Sequence, residues 1–188
     1  MNDTKINYMT QDEVKRFFAK ITDKRDRALF DVIYKYGLRV SEATLVMLQD
    51  VDLERSKIYI RRVKNGIGGE KPILRDTRRL LKAYLEVQLP TGSALFTGRQ
   101  GDLTDKRIAQ LFKVYARKAR LNPKFSVHSL RHSIATHLLE AGERVDFVKD
   151  HLGHVNIQNT MIYAQITDRR RQDAFQRMER SAEIVKTG

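Results

Sequence analysis

Apolar residues recur at helical spacing along almost the whole chain, and the period shifts to two only once, around Ile58 to Val63. Ahead of that shift, Thr10-Gln-Asp-Glu13 forms a capping box that opens a helix with Val14, Phe17, Phe18 and Ile21 on one side, residues 1–9 being a flexible lead-in. A second stripe, Ala28, Leu29, Val32, Ile33 and Tyr36, stops at Gly37, and Ser41 is placed to cap a short third helix through Leu48. Ile58, Ile60 and Arg62 then alternate with Tyr59, Arg61 and Val63, which is strand spacing. The glycine-rich loop Asn65 to Glu70 turns this strand into a shorter one over Lys71 to Leu74, with Lys64 where the first strand enters the loop.

The helical period returns from Thr77 with Leu80, Leu81, Tyr84 and Leu85, followed by a loop from Leu89 to Asp102. The next helix starts near Thr104 with Ile108, Leu111, Phe112, Tyr115 and Ala119, and Leu121-Asn-Pro123 breaks it. Further helices are expected over about Val127 to Ala141, Arg144 to Gly153 and Ile157 to Ile166, and a last one from Asp168 with Phe175, Met178, Ala182 and Val185 on a face. This order predicts a single mainly α-helical α+β domain with a small antiparallel sheet, and 188 residues suffice to bury a core.

Composition narrows the partners. Lys and Arg number 36 against 23 Asp and Glu, a net charge of +13, which favours an anionic partner and nucleic acid above all. The absence of cysteine excludes disulfides, thiolate metal sites and thiol nucleophiles, and suits a reducing cytosol. The N-terminus has no apolar signal core, and the longest strictly apolar run, Leu45 to Leu48, falls far short of the roughly 18 residues of a membrane span.

The densest polar cluster is His128-Ser-Leu-Arg-His132, at a helix start beside the apolar stripe of Leu130, Ile134, Leu138 and Ala141. Helical spacing puts His128, Arg131, His132 and Ala135 on one adjoining face, the layout of a cleft wall. Metal is disfavoured, because no acidic residue lies between His128 and His137 and Arg131 would set a fixed cation against a dication. The loop Gly66 to Lys71 is no nucleotide cradle, since no Ser or Thr follows the lysine and a strand comes next. Cutting a DNA phosphodiester without metal requires a nucleophile, cations for the non-bridging oxygens and an acid for the leaving 5′ oxygen. Arg39 and Arg131 offer guanidinium forks, His128 and His154 further hydrogen bonds, Lys64 a proton donor and Tyr163 a phenol nucleophile.

Taken in order, Gly37-Leu-Arg39-Val-Ser-Glu42, Lys64, His128-Ser-Leu-Arg131-His132, Leu152-Gly-His154 and Thr160-Met-Ile-Tyr163 resemble the tyrosine recombinase, or phage integrase, family from about Thr10 to Ile184. The resemblance implies that family's catalytic-domain fold and a catalytic set of Arg39, Lys64, His128, Arg131, His154 and Tyr163, with Lys71 as the competing lysine. It matches Glu42 to the acidic residue after the first arginine and His132 to a second histidine of more structural role. It implies strand cutting and rejoining through a 3′-phosphotyrosyl intermediate, with no cofactor, double-stranded DNA as partner, and a cytoplasmic, nucleoid-associated address. It further implies a tetrameric synapse in which the helix of residues 168–185 docks in a neighbouring protomer, against the alternative that it packs on its own domain. The family usually carries an N-terminal helical clamp, which the pattern over residues 10–188 lacks; the start at Met1 favours a short protein over a cut-out domain. A non-catalytic DNA-binding regulator and a type IB topoisomerase are the competing functions.

Overall fold

The computed structural model describes residues 6–63, 66–87, 90, 92–98, 101–164 and 175–179. Their main elements are helices α1 (Gln11–Ala19), α2 (Lys24–Lys35) and α3 (Val40–Ala43), strands β1 (Val51–Asp52), β2 (Lys57–Ile60) and β3 (Gly69–Pro72), then α4 (Arg75–Leu85), β4 (Thr97–Gly98) and β5 (Gly101–Asp102), and finally α5 (Asp105–Lys118), α6 (Val127–Glu140), α7 (Val145–Leu152) and α8 (Gln158–Ala164). The chain is thus mainly helical with small antiparallel sheets, in the order β1-β2-β3 and β4-β5.

Local chemistry sets these boundaries. The Thr10 hydroxyl accepts from the Glu13 N–H and the Glu13 carboxylate accepts from the Thr10 N–H, which closes the expected capping box on α1. Thr104 accepts from the Arg107 N–H and starts α5 in the same way. In β2, Ile58 and Ile60 face the core while Tyr59 is exposed, and the pairing Ile58↔Lys71 and Ile60↔Gly69 fixes the hairpin register.

The main core gathers α1, α2, α4, α5 and the inner face of β2 around Phe17, Phe30, Phe112 and Tyr115, whose rings meet at 4.9–6.5 Å. Each such fully buried side chain contributes about 1.5–3 kcal/mol. A second, smaller cluster of Ala135, Leu139, Val148, Leu152 and Tyr163 joins α6, α7 and α8. Helix α6 carries the main-core Leu130 as well as this cluster's Ala135 and Leu139, so it faces both.

Four expectations need correction. The lead-in of residues 1–9 is anchored at its end: Met9 is fully buried, its N–H donates to Ser133 Oγ at 2.7 Å, and Ile6 packs on the smaller cluster. Ser41 does not cap α3; the N-cap is Arg39, whose N–H is taken by Glu42 Oε2 at 3.0 Å, and the helix stops at Ala43 rather than Leu48. The second hairpin strand begins at Gly69, ahead of the expected Lys71. Short pairings at β1 and at β4-β5 lie in stretches read as turn and loop, too brief to leave a period. Lys64 and most of the expected helix from Asp168 lie outside the described residues; within 175–179 the backbone is helical.

Candidate active site

Two glycine-ended helices make the floor. Helix α2 closes through Gly37 in the left-handed region (φ 58°) and α7 through Gly153 (φ 68°). A Cβ on Gly37 would lie 2.5 Å from Leu152 Cδ2, and one on Gly153 would lie 2.8 Å from Arg62 Cγ and from the Ile67 carbonyl. Only glycine lets the two helix ends and the hairpin approach this closely.

Such ends leave carbonyls without helical partners and carry partial negative charge. Two buried arginines gather them. Arg62 donates to the carbonyls of Tyr36 at 2.8 Å, Gly37 at 3.3 Å and His151 at 2.6 Å. Arg131, 1% exposed, donates to the carbonyls of Gly37 and, at 3.0 Å, Leu152, and to His154 Nε2 at 2.8 Å.

Below them sits Glu42, fully buried. Its carboxylate accepts from Arg39 Nη1 at 2.6 Å, Arg62 Nη1 at 2.8 Å and the backbone N–H of Arg39 and Val63, with Arg131 Nη1 at 3.6 Å. Burial alone would raise the Glu42 carboxyl, but these donors outweigh it and hold it below the usual range. Three guanidiniums around one carboxylate leave a local charge of 3 − 1 = +2. Arg39 is the guanidinium that stays partly exposed.

Desolvation favours the neutral form of the histidines at this site. Burial, reinforced by Arg131, lowers both His128 and His154, the latter to about 4. His154 therefore accepts from Arg131 through Nε2, while its Nδ1 meets Thr160 Oγ1 at 2.9 Å. His128 is shielded on the side facing Arg131 and open to solvent on the other, its ring edge-on to His132 at 4.4 Å between centroids. Tyr163, 2% exposed, lies with its hydroxyl 2.8 Å from His132 Nδ1. Burial pushes the phenol up, and Arg131 and Arg39 only partly offset it.

Of the six residues singled out from sequence, Arg39, His128, Arg131, His154 and Tyr163 line one region, and Lys64 is outside the described residues. Arg131 differs from expectation in that its N–H groups already serve carbonyls and His154, which makes it the buried support beneath the more open Arg39. Sequence reasoning missed Arg62 and Thr160. Arg62 had left a signal, because alternation in β2 puts it on the face of Ile58 and Ile60, where a charge is costly without partners. Among the described residues, no group of three His, Asp or Glu is arranged to hold a metal ion, and no helix is long and apolar enough to cross a membrane.

Residues 7–170 match the phage integrase family. Tyrosine recombinase XerA of Pyrococcus horikoshii is 32% identical over 183 residues, covering 95% of this chain and 62% of its own length. Tyrosine recombinase XerC of Halalkalibacterium halodurans is 37% identical over 162 residues, covering 80% of this chain and 53% of its own. The crystal structure of XerA recombinase superposes with a TM-score of 0.81 at 25% identity, over 95% of this chain and 66% of that one. This chain therefore spans just over half the length of the curated relatives it matches.

Proposed function

The chain belongs to the phage integrase family, and from that premise we propose that it cuts and rejoins DNA strands as a site-specific recombinase, through a covalent 3′-phosphotyrosyl intermediate. The observation that carries this reading is the convergence of Arg39 and Arg131 on Glu42, with His154 on Arg131, Tyr163 within electrostatic reach of both arginines, and positive charge in excess. A phosphodiester brings the anion that this cup lacks. Arg39 and His128 are the open groups for its non-bridging oxygens, and Arg131 and His154 hold the wall behind them.

In the reaction, the Tyr163 O–H bond breaks, its proton passing to the histidines beside it, while the oxygen bonds to phosphorus and the P–O5′ bond breaks, its electron pair leaving on the 5′ oxygen. Lys64 delivers the proton that this oxygen takes up. The new ester keeps the bond energy, so a 5′ hydroxyl can reverse the step without ATP. Cations fixed beforehand favour the transition state because no reorganisation is needed as its charge develops. In this reading residues 10–188 form the catalytic unit, the partner is double-stranded DNA, and the protein works at the nucleoid in the cytoplasm.

The same reading extends to a tetrameric synapse in which the segment 168–185 of one protomer docks on the next. An apolar groove of about 470 Å³ between α2, β3, α6 and α7, lined by Tyr34, Tyr36, Leu74, Ile134, Leu138 and Phe147 among others, suits an apolar helix. Phe175 and Met178, 60% and 67% exposed, suit its occupant.

The test is a pool of nicked duplexes of randomised sequence, from which covalent protein-DNA adducts are isolated and mapped by mass spectrometry. The adduct is expected on Tyr163, and Tyr163→Phe is expected to retard DNA yet form none. An adduct of undiminished yield in the Phe variant overturns the assignment.

A further inference from the structure

A guanidinium has only N–H groups to offer, so whatever nitrogen or oxygen faces it must accept. Arg131 Nη2 lies 2.8 Å from His154 Nε2, and that nitrogen therefore presents its lone pair. An imidazole with its lone pair on Nε2 carries its hydrogen on Nδ1, and this hydrogen needs an acceptor of its own. The atom in place is Thr160 Oγ1, 2.9 Å away. Thr160 is fully buried and His154 is 7% exposed, so bulk water does not stand in for the hydroxyl, and a buried N–H left without a partner is costly.

Thr160 belongs to α8, three residues ahead of Tyr163, and the two share the buried face of that helix. His154 follows the glycine that ends α7, and Arg131 comes from α6. One line of hydrogen bonds thus runs from the helix that carries Tyr163, through Thr160 and His154, to Arg131 in the cluster around Glu42.

We propose that Thr160 is a positioning residue: its hydroxyl holds His154 in the Nδ1–H form, keeps the Nε2 lone pair on Arg131, and so sets α8 in register with the arginines. The proposal deepens the strand-cutting reading and rests on it. In the opposite tautomer Nε2–H would meet a guanidinium N–H, donor against donor, and Arg131 would have to withdraw. The cradle for the phosphate would then shift against the tyrosine that attacks it, and a misplacement of about 1 Å between reacting groups can cost about 10²-fold in rate. Thr160 touches no reacting atom; it acts through the ring it orients.

Two measurements on the full chain test this. Nitrogen NMR of histidine-labelled protein without DNA reads the tautomer of His154, its signal assigned by loss in His154→Ala. The Nδ1–H form is expected in the native chain and in Thr160→Ser, which keeps the hydroxyl, while Thr160→Val, which keeps the shape and loses the hydroxyl, is expected to gain the Nε2–H form. Single-turnover cleavage of a nicked duplex recovered from the pool above is the second. Partners that orient a functional histidine from outside are worth about 10-fold to 100-fold at metal sites, and a loss of that order is expected in Thr160→Val, with DNA retardation unchanged and Thr160→Ser near the native rate. In a His154→Ala background, adding Thr160→Val is expected to cost no further rate, because the hydroxyl has no ring left to hold. A native rate in Thr160→Val overturns the proposal, and so does an equal loss with and without His154, which would make Thr160 a packing residue only. An Nε2–H ring in the native chain overturns it too, and that result needs neither DNA nor a folded Thr160→Val. Failure of the strand-cutting reading shows separately, as an adduct on a residue other than Tyr163.

Discussion

Replacing Glu42 by Gln tests whether one buried carboxylate holds the arginine cluster together. The side chain keeps its size and one acceptor oxygen, but loses the negative charge and presents an NH₂ group where the second oxygen stood. In the native chain the two oxygens serve Arg39 Nη1, Arg62 Nη1 and the N–H groups of Arg39 and Val63. At least one of these donors then faces another donor, and buried guanidinium charge loses its counterion. Breaking a buried ion pair costs about 3–5 kcal/mol, and the retained oxygen puts Glu42→Gln at the low end, about 3 kcal/mol. For a chain of this size, 1 kcal/mol moves the melting temperature by about 2–4 °C, so calorimetry is expected to find a drop of roughly 6–12 °C at neutral pH. The pH dependence fixes the sign. Because the folded carboxyl sits below its ordinary value, its stabilisation is complete above about 4.5 and is lost as the pH falls through the lower folded value. The gap between native and variant proteins should therefore be constant near neutrality and narrow in acid. A variant that melts within about 2 °C of the native protein, or a gap that widens on acidification, refutes the reasoning.

Lys64→Ala is expected to lose cleavage by about 10²-fold or more and to regain it on a 5′-phosphorothiolate duplex, whose leaving sulfur needs no proton. Recovery of Lys71→Ala in its place moves the acid across the hairpin. Cutting the chain after Ile166 is expected to abolish higher-order complexes on paired sites in analytical ultracentrifugation, while the full chain without DNA sediments as a monomer. Normal assembly of the shortened chain removes any exchange role from the tail.

Much of this was legible before any coordinates. Capping chemistry at Thr10 and Thr104, and the glycine stops at Gly37 and Gly153, are local effects, and local effects are written in neighbouring residues. The ordered motifs located the residues of the cup for a similar reason: each sits at the end of a recognisable element. What stayed hidden depends on residues far apart in sequence. One exception is local: Glu42 turns back to the Arg39 N–H three residues away and so moves the helix start. The anchoring of Met9 needs Ser133, 124 positions away. The hydrogen bonds of His132 with Tyr163 and of His154 with Thr160 arise only when α6, α7 and α8 pack. Arg62 lay between the two cases: strand parity gave its face, but the three helix-end carbonyls it collects come from two other segments.

The division of the interior into a large core and a small cluster has a consequence for motion. Tyr163 is packed with Ala135, Leu139, Val148 and Leu152, and not with the aromatic core around Phe17 and Phe112. Regions with few buried apolar neighbours open at free energies well below global unfolding. By that principle the patch around Tyr163 is expected to open before α1, α2, α4 and α5 do. The main core is a fixed bench, and the tyrosine proposed as nucleophile sits on the smaller cluster beside it.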